Sequence, residues 1–381
     1  MLNNMKHATL LIAILILLPL LSRAQTVVLK ENKPTILGVS FDYGFLIKHS
    51  ESLREIDDAY PFAVRLDWSK HLLTQRAWSF CNCFPRVGVS LAYWNWDNPD
   101  ILGSGILPMA YLEPYFMTQR RTNLFFRMGL GGAFLTKPYD EVSNPQNLSY
   151  STLFSFSIMV GTGIQYRLND RTNLRFAVKY NHISNGGVRI PNKGLNFPTL
   201  SMGINTSLDE FKYPKLTKVQ DREAPQEKTR LSLVYFSGWS NAQFSDKSTY
   251  YVFGFAGTAS RWIGGRSALS VGTEWVMDYS RREEIELLGL DDSFQQGAFL
   301  VGHEFWLGKV TFSQHFGIYY FKPFRNSDDI YQRYALTYSF TPNLFGGVSL
   351  KSHRHVADFF DFRVGYSFGN KKPPILIGRK Y

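Results

Sequence analysis

Thr35 to Ile47 reads Thr-Ile-Leu-Gly-Val-Ser-Phe-Asp-Tyr-Gly-Phe-Leu-Ile. Leu37, Val39, Phe41, Tyr43, Phe45 and Ile47 share one parity, and Gly38, Ser40, Asp42 and Gly44 the other. Period two is the signature of a β-strand with unlike faces. The pattern recurs along the chain. Phe62, Val64, Leu66 and Trp68 alternate with Ala63, Arg65, Asp67 and Ser69; Phe156, Ile158, Val160, Ile164 and Tyr166 alternate with Ser155, Ser157, Gly161, Gly163 and Gln165. A soluble sandwich would bury the apolar face and wet the polar one. A transmembrane barrel turns the apolar face to lipid and lines its narrow interior with small and polar side chains. Three features favour the barrel. The strands run to roughly 10 to 14 residues, enough to cross a bilayer at a tilt. Gly, Ala and Ser dominate the second face. Tyr93, Trp94, Trp96, Tyr319 and Tyr320 cluster at strand ends, where aromatic girdles sit.

Composition agrees. The 381 residues include 31 Phe, 21 Tyr, 8 Trp and 30 Gly, an aromatic and glycine content suited to an all-β protein. A mean hydropathy of −0.18 excludes a bundle of transmembrane helices. Two Cys exclude a disulfide scaffold. An apolar fraction of 44% with 19% charged residues excludes a disordered chain. Met1 to Ala24 has a short basic start, an apolar run over Ala8 to Leu21 and small residues before Gln25, so a secretory signal peptide is expected over 1–24. Its loss removes Lys6 and Arg23, taking the formal charge from +11 to +9. Lys371, Lys372, Arg379 and Lys380 place much of the remainder in a basic tail, 369–381, read as solvated and compatible with an anionic glycolipid surface. Nucleic acid is a poor partner for an exported chain.

Eight strands are counted up to Asp209. Residues 210–229 (EFKYPKLTKVQDREAPQEKT) carry charge and two prolines but no alternation, and they read as a linker. Periplasmic turns of barrels are short, so a polar stretch of this length closes one unit before the next. Eight further strands follow over 230–368. The expected architecture is an antiparallel transmembrane β-barrel protein with two tandem eight-stranded barrels, 25–209 and 230–368; a single sixteen-stranded barrel is the alternative. Asn173 to His182 and Asn343 to Ser352 echo each other, as a duplication would leave them.

The stretch that carries chemistry is Lys179 to Phe197, KYNHISNGGVRIPNKGLNF. Phe176, Val178 and Tyr180 point to lipid, so His182 and Ser184 continue the outward row. Residues two apart on a strand face lie roughly 7 Å apart at Cα, close enough for an imidazole and a hydroxyl to act as the base and nucleophile of acyl transfer. Asn185-Gly186-Gly187 follows, with glycines free to turn backbone N–H groups toward an oxyanion and a side-chain amide as a further donor. A lone His-x-Ser at a strand end is ordinarily interface decoration. The outward register, the Gly-Gly turn and the Pro-Asn-x-Gly loop together point instead to a site.

These residues resemble the PagL-type lipid A 3-O-deacylases, whose pattern is His-x-Ser-Asn, a small residue and Gly, then Pro-Asn-x-Gly-x-acid. Here the residues are His182-Ile-Ser184-Asn185-Gly186-Gly187 and Pro191-Asn192-Lys193-Gly194-Leu195-Asn196. The resemblance spans about Pro34 to Leu208, with a weak match beyond. It implies an eight-stranded outer-membrane barrel with its site on the lipid-facing wall, acting on lipid A of lipopolysaccharide without a cofactor or metal. His182 is then the general base, Ser184 the nucleophile, and Asn185 with the backbone around Gly186 and Gly187 the oxyanion hole. The family has Glu where this chain has Asn196, a catalytic position that here can hold a His tautomer but brings no negative charge. A non-catalytic structural barrel and a pore are the rival readings.

Other candidates read as bland. His353 and His355 lack a third metal ligand and are expected to face the lumen. Cys81 and Cys83, one residue apart in a periplasmic turn, are expected as free or weakly coupled thiols. Arg281 to Glu286 reads as a solvated extracellular loop.

Overall fold

The structure, a computed structural model, describes residues 32–48, 53, 56, 58–217, 228–242, 249–325, 327–354 and 356–368. Residues 1–24, expected to be a signal peptide, His355, the expected tail 369–381 and residues 218–227 of the expected linker lie outside the described residues.

Sixteen antiparallel strands form two closed barrels of eight, rather than one cylinder of sixteen. The first contains β1 (Thr35–Gly44), β2 (Phe62–His71), β3 (Phe84–Asn95), β4 (Ser104–Phe116), β5 (Thr122–Leu135), β6 (Phe154–Arg167), β7 (Thr172–Ser184) and β8 (Leu195–Ser207). It closes where β1 pairs with β8, Phe41 opposite Met202. The second contains β9 (Thr229–Ser240), β10 (Tyr250–Gly264), β11 (Ser267–Asp278), β12 (Gln295–Leu307), β13 (Val310–Phe321), β14 (Ile330–Ser339), β15 (Leu344–His353) and β16 (Val356–Phe368). It closes between β16 and β9, Phe362 opposite Ser237. The echoing segments fall on the seventh strand of each barrel, β7 and β15.

Alternation sets which side chains meet lipid. Leu37, Val39, Phe41 and Tyr43 on β1 and Val64, Leu66 and Trp68 on β2 are all exposed, and the same holds around both barrels. A soluble monomer does not present an apolar belt of that extent to water; a bilayer solvates it. Tyr43 stacks on Tyr60 with ring centroids 6.4 Å apart at one rim, and Tyr166 and Tyr338 mark the other.

The interiors are filled. In the first barrel Asp42 takes Arg65 at 2.9 Å and Lys179 at 2.8 Å. Arg127 pairs with Asp67 at 2.7 Å and Glu113 at 3.4 Å, and Glu113 also holds Arg175 at 2.5 Å. In the second, Arg333 bridges Glu274 at 2.9 Å and Asp361 at 2.6 Å. Charges taken from water persist only when paired, and an eight-stranded cylinder is just wide enough for its side chains to fill it.

Long connections, 136–153 and 185–194 among them, gather at one end of the first barrel, and 279–294 at the same end of the second. The opposite end has the short turns 168–171, 265–266 and 308–309. Long loops mark the outer end of such barrels. Three expectations are corrected here. Trp94, Trp96 and Tyr319, expected in aromatic girdles, turn inward instead, the two tryptophans fully buried in the first barrel and Tyr319 bonded to Gln296 in the second. Cys81 and Cys83 form a disulfide. A short helix, α1 (Gln75–Cys81), ends at Asn82 in the left-handed conformation, which brings the two Cα atoms to 5.0 Å, inside the usual range for a bridge. Residues 281–286 are not a solvated loop but part of a helix, α2 (Tyr279–Leu287), capped by Asp278. Arg281 and Glu284 on it are buried, Arg281 pairing with Glu284 at 3.1 Å and Asp358 at 2.7 Å; only Arg282 and Glu286 remain a solvent pair. The mixed charges are an ion-pair plug rather than a wetted surface.

Candidate functional site on the outer wall

β7 sets the geometry. Lys179, Asn181 and Asn185 are buried in the interior, while Phe176, Val178 and Tyr180 face outward. His182 and Ser184 continue that outward row, both half-buried beside the neighbouring loops. Register places His182 between Ile158 of β6 and Asn196 of β8, and Ser184 beside Phe156. The imidazole, the hydroxyl and the amide therefore share one face, at the long-loop rim.

Asn196 is the partner of the imidazole. Its Oδ1 lies 2.7 Å from His182 Nδ1, and Tyr180 donates its hydroxyl to the same oxygen at 3.1 Å. With the amide oxygen toward the ring, Nδ1 carries the proton and Nε2 keeps its lone pair. That is the tautomer a general base requires. Tyr180 is a site residue that the sequence reading did not single out, although its place two residues before His182 on the same face was a sufficient signal.

The 185–194 loop holds the nucleophile from the other side. The Gly186 N–H donates to Ser184 Oγ at 3.3 Å. The Gly187 N–H donates to Asn185 Oδ1 at 3.1 Å. The Asn185 side-chain nitrogen donates to Arg189 O at 2.7 Å and Ser151 Oγ at 3.2 Å, so this amide braces the loop. Asn192 accepts the Asn185 backbone N–H at 3.1 Å. Gly194 has φ +77, and a Cβ there would lie 3.0 Å from His182 Cε1, so this position demands the left-handed conformation and allows the close approach to the ring.

The wall behind the site is closely packed. Ile183, Leu195 and Phe197, the inward neighbours of the site residues, are buried with Trp94, Trp96 and Tyr150 in an apolar plug. Trp94 and Trp96 stack with centroids 5.6 Å apart, and Phe197 meets both edge-on at 4.9 and 5.3 Å. In front, a cleft of about 560 Å³ is lined by His182, Ser184 and Gly187 on one side and by Asn241, His353 and Asp358 of the second barrel on the other. His353 faces inward by register, its Nε2 3.3 Å from the Tyr319 hydroxyl. Among the described residues no group of three His, Cys, Asp or Glu is placed to hold a metal ion. The second barrel has Ser352 and Arg354 where the echo puts His182 and Ser184, and so repeats neither base nor nucleophile.

Comparison with known proteins fits this division. A family model described as lipid A 3-O-deacylase (PagL) matches residues 60–205. A second, described as acyloxyacyl hydrolase, C-terminal domain, matches residues 229–371. No curated protein matches the chain. Among solved structures, Neisserial surface protein A is 14% identical, with 46% of this chain and 97% of that one covered and a TM-score of 0.33. The outer membrane enzyme PagL is 17% identical over 44% of this chain and 97% of its own, also at 0.33. A mutant porin of Rh. blastica is 11% identical over 87% of this chain and 100% of its own, at 0.18. The two family models fall one on each barrel and between them take in well over half the sequence, and the chain belongs to the PagL family of lipid A 3-O-deacylases, β-barrel proteins of the Gram-negative outer membrane.

Proposed function

We propose that the chain is an outer-membrane serine esterase that removes the ester-linked acyl chain at the 3-position of lipid A in lipopolysaccharide, with His182 and Ser184 as its working pair. The single observation that carries this reading is the outward His182–Asn196 contact of 2.7 Å with Ser184 next on the same face. A site on that face meets an acyl chain without drawing it out of the bilayer.

The chemistry follows from the atoms present. Ser184 Oγ attacks the ester carbonyl carbon while His182 Nε2 accepts its proton, and the Nδ1 proton stays shared with Asn196. Negative charge grows on the carbonyl oxygen. The Gly186 N–H, already directed at Oγ, is the backbone donor best placed to receive it. Collapse breaks the bond to the sugar oxygen, which leaves with the proton from His182. Water then gives a proton to Nε2, adds to the acyl-enzyme and releases the fatty acid, and Ser184 regains its hydrogen.

Asn196 supports a second reading, a scaffold without chemistry, because a neutral amide does not stabilise the imidazolium as the family's Glu does. A pore has no such support: the ion pairs of both barrels occupy their lumens. Purified protein incubated with lipopolysaccharide distinguishes the first two. Release of hydroxy fatty acid by the native chain and none by Ser184→Ala supports the esterase; equal release by both rejects the assignment of the serine.

A further inference from the structure

The mechanism above places all its groups on the first barrel, yet the turn that carries the oxyanion donor is gripped from the second. The side-chain amide of Asn241, just after β9, donates to the Gly187 carbonyl. Gly187 has φ +85, and a Cβ there would lie 2.8 Å from the Asp358 carbonyl and 3.3 Å from that of Ala357, both on β16. Beside it, a Cβ on Gly186 would come within 3.0 Å of Phe360 Cβ. Phe360 stacks on Phe156 of β6, centroids 4.4 Å apart and planes at 25°. Phe156 is in turn the strand neighbour of Ser184. The β16 segment is itself anchored, since Asp358 takes Arg281 at 2.7 Å and Lys351 at 3.3 Å. The Asn185–Gly187 turn is thus held between two walls, one belonging to each barrel.

We infer that the second barrel is a working part of the hydrolytic site, with Asn241 and Phe360 as positioning residues that hold the Gly186 N–H against the Ser184 oxygen. This rests on the serine reading given above. The turn contains two glycines, and their backbone freedom is what an outside brace removes. An oxyanion donor contributes through fixed placement; removing one costs about 10²–10³ in kcat. Loosening the turn without deleting the donor then lowers kcat by about tenfold.

The test uses the full chain in detergent micelles, with lipopolysaccharide turnover and covalent labelling of Ser184 by a fluorophosphonate as two readouts. In labelling, the Oγ–phosphorus bond forms as fluoride leaves. Asn241→Ala and Phe360→Ala are expected to lower kcat about tenfold, with a smaller change in KM, and to slow labelling in parallel. Val364→Ala, on the same outward row of β16 but away from the turn, leaves both unchanged. Compact migration on unheated gels reports the fold. If Phe360→Ala loses it, Phe360→Leu keeps the bulk, removes the ring stack and takes its place. Native kcat and labelling rate in folded Asn241→Ala and Phe360→Ala overturn the inference while Ser184→Ala is inactive. An active Ser184→Ala overturns instead the serine reading beneath it.

Discussion

Asn196→Asp replaces an NH2 by an oxygen and changes charge with almost no change of shape. Asn196 Oδ1 already sits 2.7 Å from His182 Nδ1, so the carboxylate inherits a formed hydrogen bond. What it adds is attraction for the imidazolium that appears as Ser184 loses its proton. Two unit charges about 4 Å apart interact by about 4 kcal/mol at an effective dielectric of 20. His182 and Asn196 are half-buried at the rim, and solvent screening reduces that to about 1–2 kcal/mol. The expected gain in kcat is therefore about 5- to 30-fold, 1.4 kcal/mol being one decade. Loss of the acid from a serine triad costs about 10⁴, much of it through the wrong tautomer; here Tyr180 and Asn196 hold the right one, so the gain is smaller. The same charge favours protonated His182, and the acid limb of the pH–rate profile moves to higher pH. Turnover of lipopolysaccharide in micelles, followed by released hydroxy fatty acid across pH, reads both effects. A folded Asn196→Asp with unchanged kcat and an unmoved acid limb refutes the assignment of His182 as the base.

Tyr180→Phe removes one of the two donors on Asn196 Oδ1 and is expected to lower kcat several-fold without altering the fold, as read by turnover and gel migration. Phe197→Ala empties the plug behind the site and is expected to cost about 3–5 kcal/mol in urea unfolding; a loss below 1 kcal/mol means the plug is not the support described. Arg333→Met leaves Glu274 and Asp361 buried without their shared cation and is expected to cost about 3–5 kcal/mol. Single-channel recording in a planar bilayer is expected to show no conductance from the native chain, whose lumens are occupied by ion pairs; steady open currents contradict the filled interiors.

Most of the fold was legible because a membrane barrel writes its register into every strand. Phe41 outward and Asp42 inward follow from parity alone, and the polar break after Asp209 announced the division into two closed cylinders. Distant pairing was not legible. Alternation says that Arg127 faces inward but not that Asp67, sixty positions away, receives it. The helix over 279–287 was misread because its charges look solvated until Asp358, from another strand, is seen to neutralise Arg281. The disulfide was missed because spacing alone does not reveal that Asn82 turns left-handed. At the site, periodicity places His182 and Ser184 on one face, the family resemblance points to Asn196, and the strand register brings His182 and Asn196 together. It did not show that Asn185 turns its amide into the loop, that Tyr180 shares the Asn196 oxygen, or that a second barrel presses on the Gly186–Gly187 turn. Those are contacts between elements, fixed by packing rather than by local pattern.

The most direct measurement is mass spectrometry of lipid A extracted from Gram-negative cells that carry the native chain, the Ser184→Ala chain or neither. The account predicts that only the native chain yields lipid A lighter by one ester-linked hydroxyacyl group. Identical lipid A from all three, with the native barrel folded in the outer membrane, contradicts it.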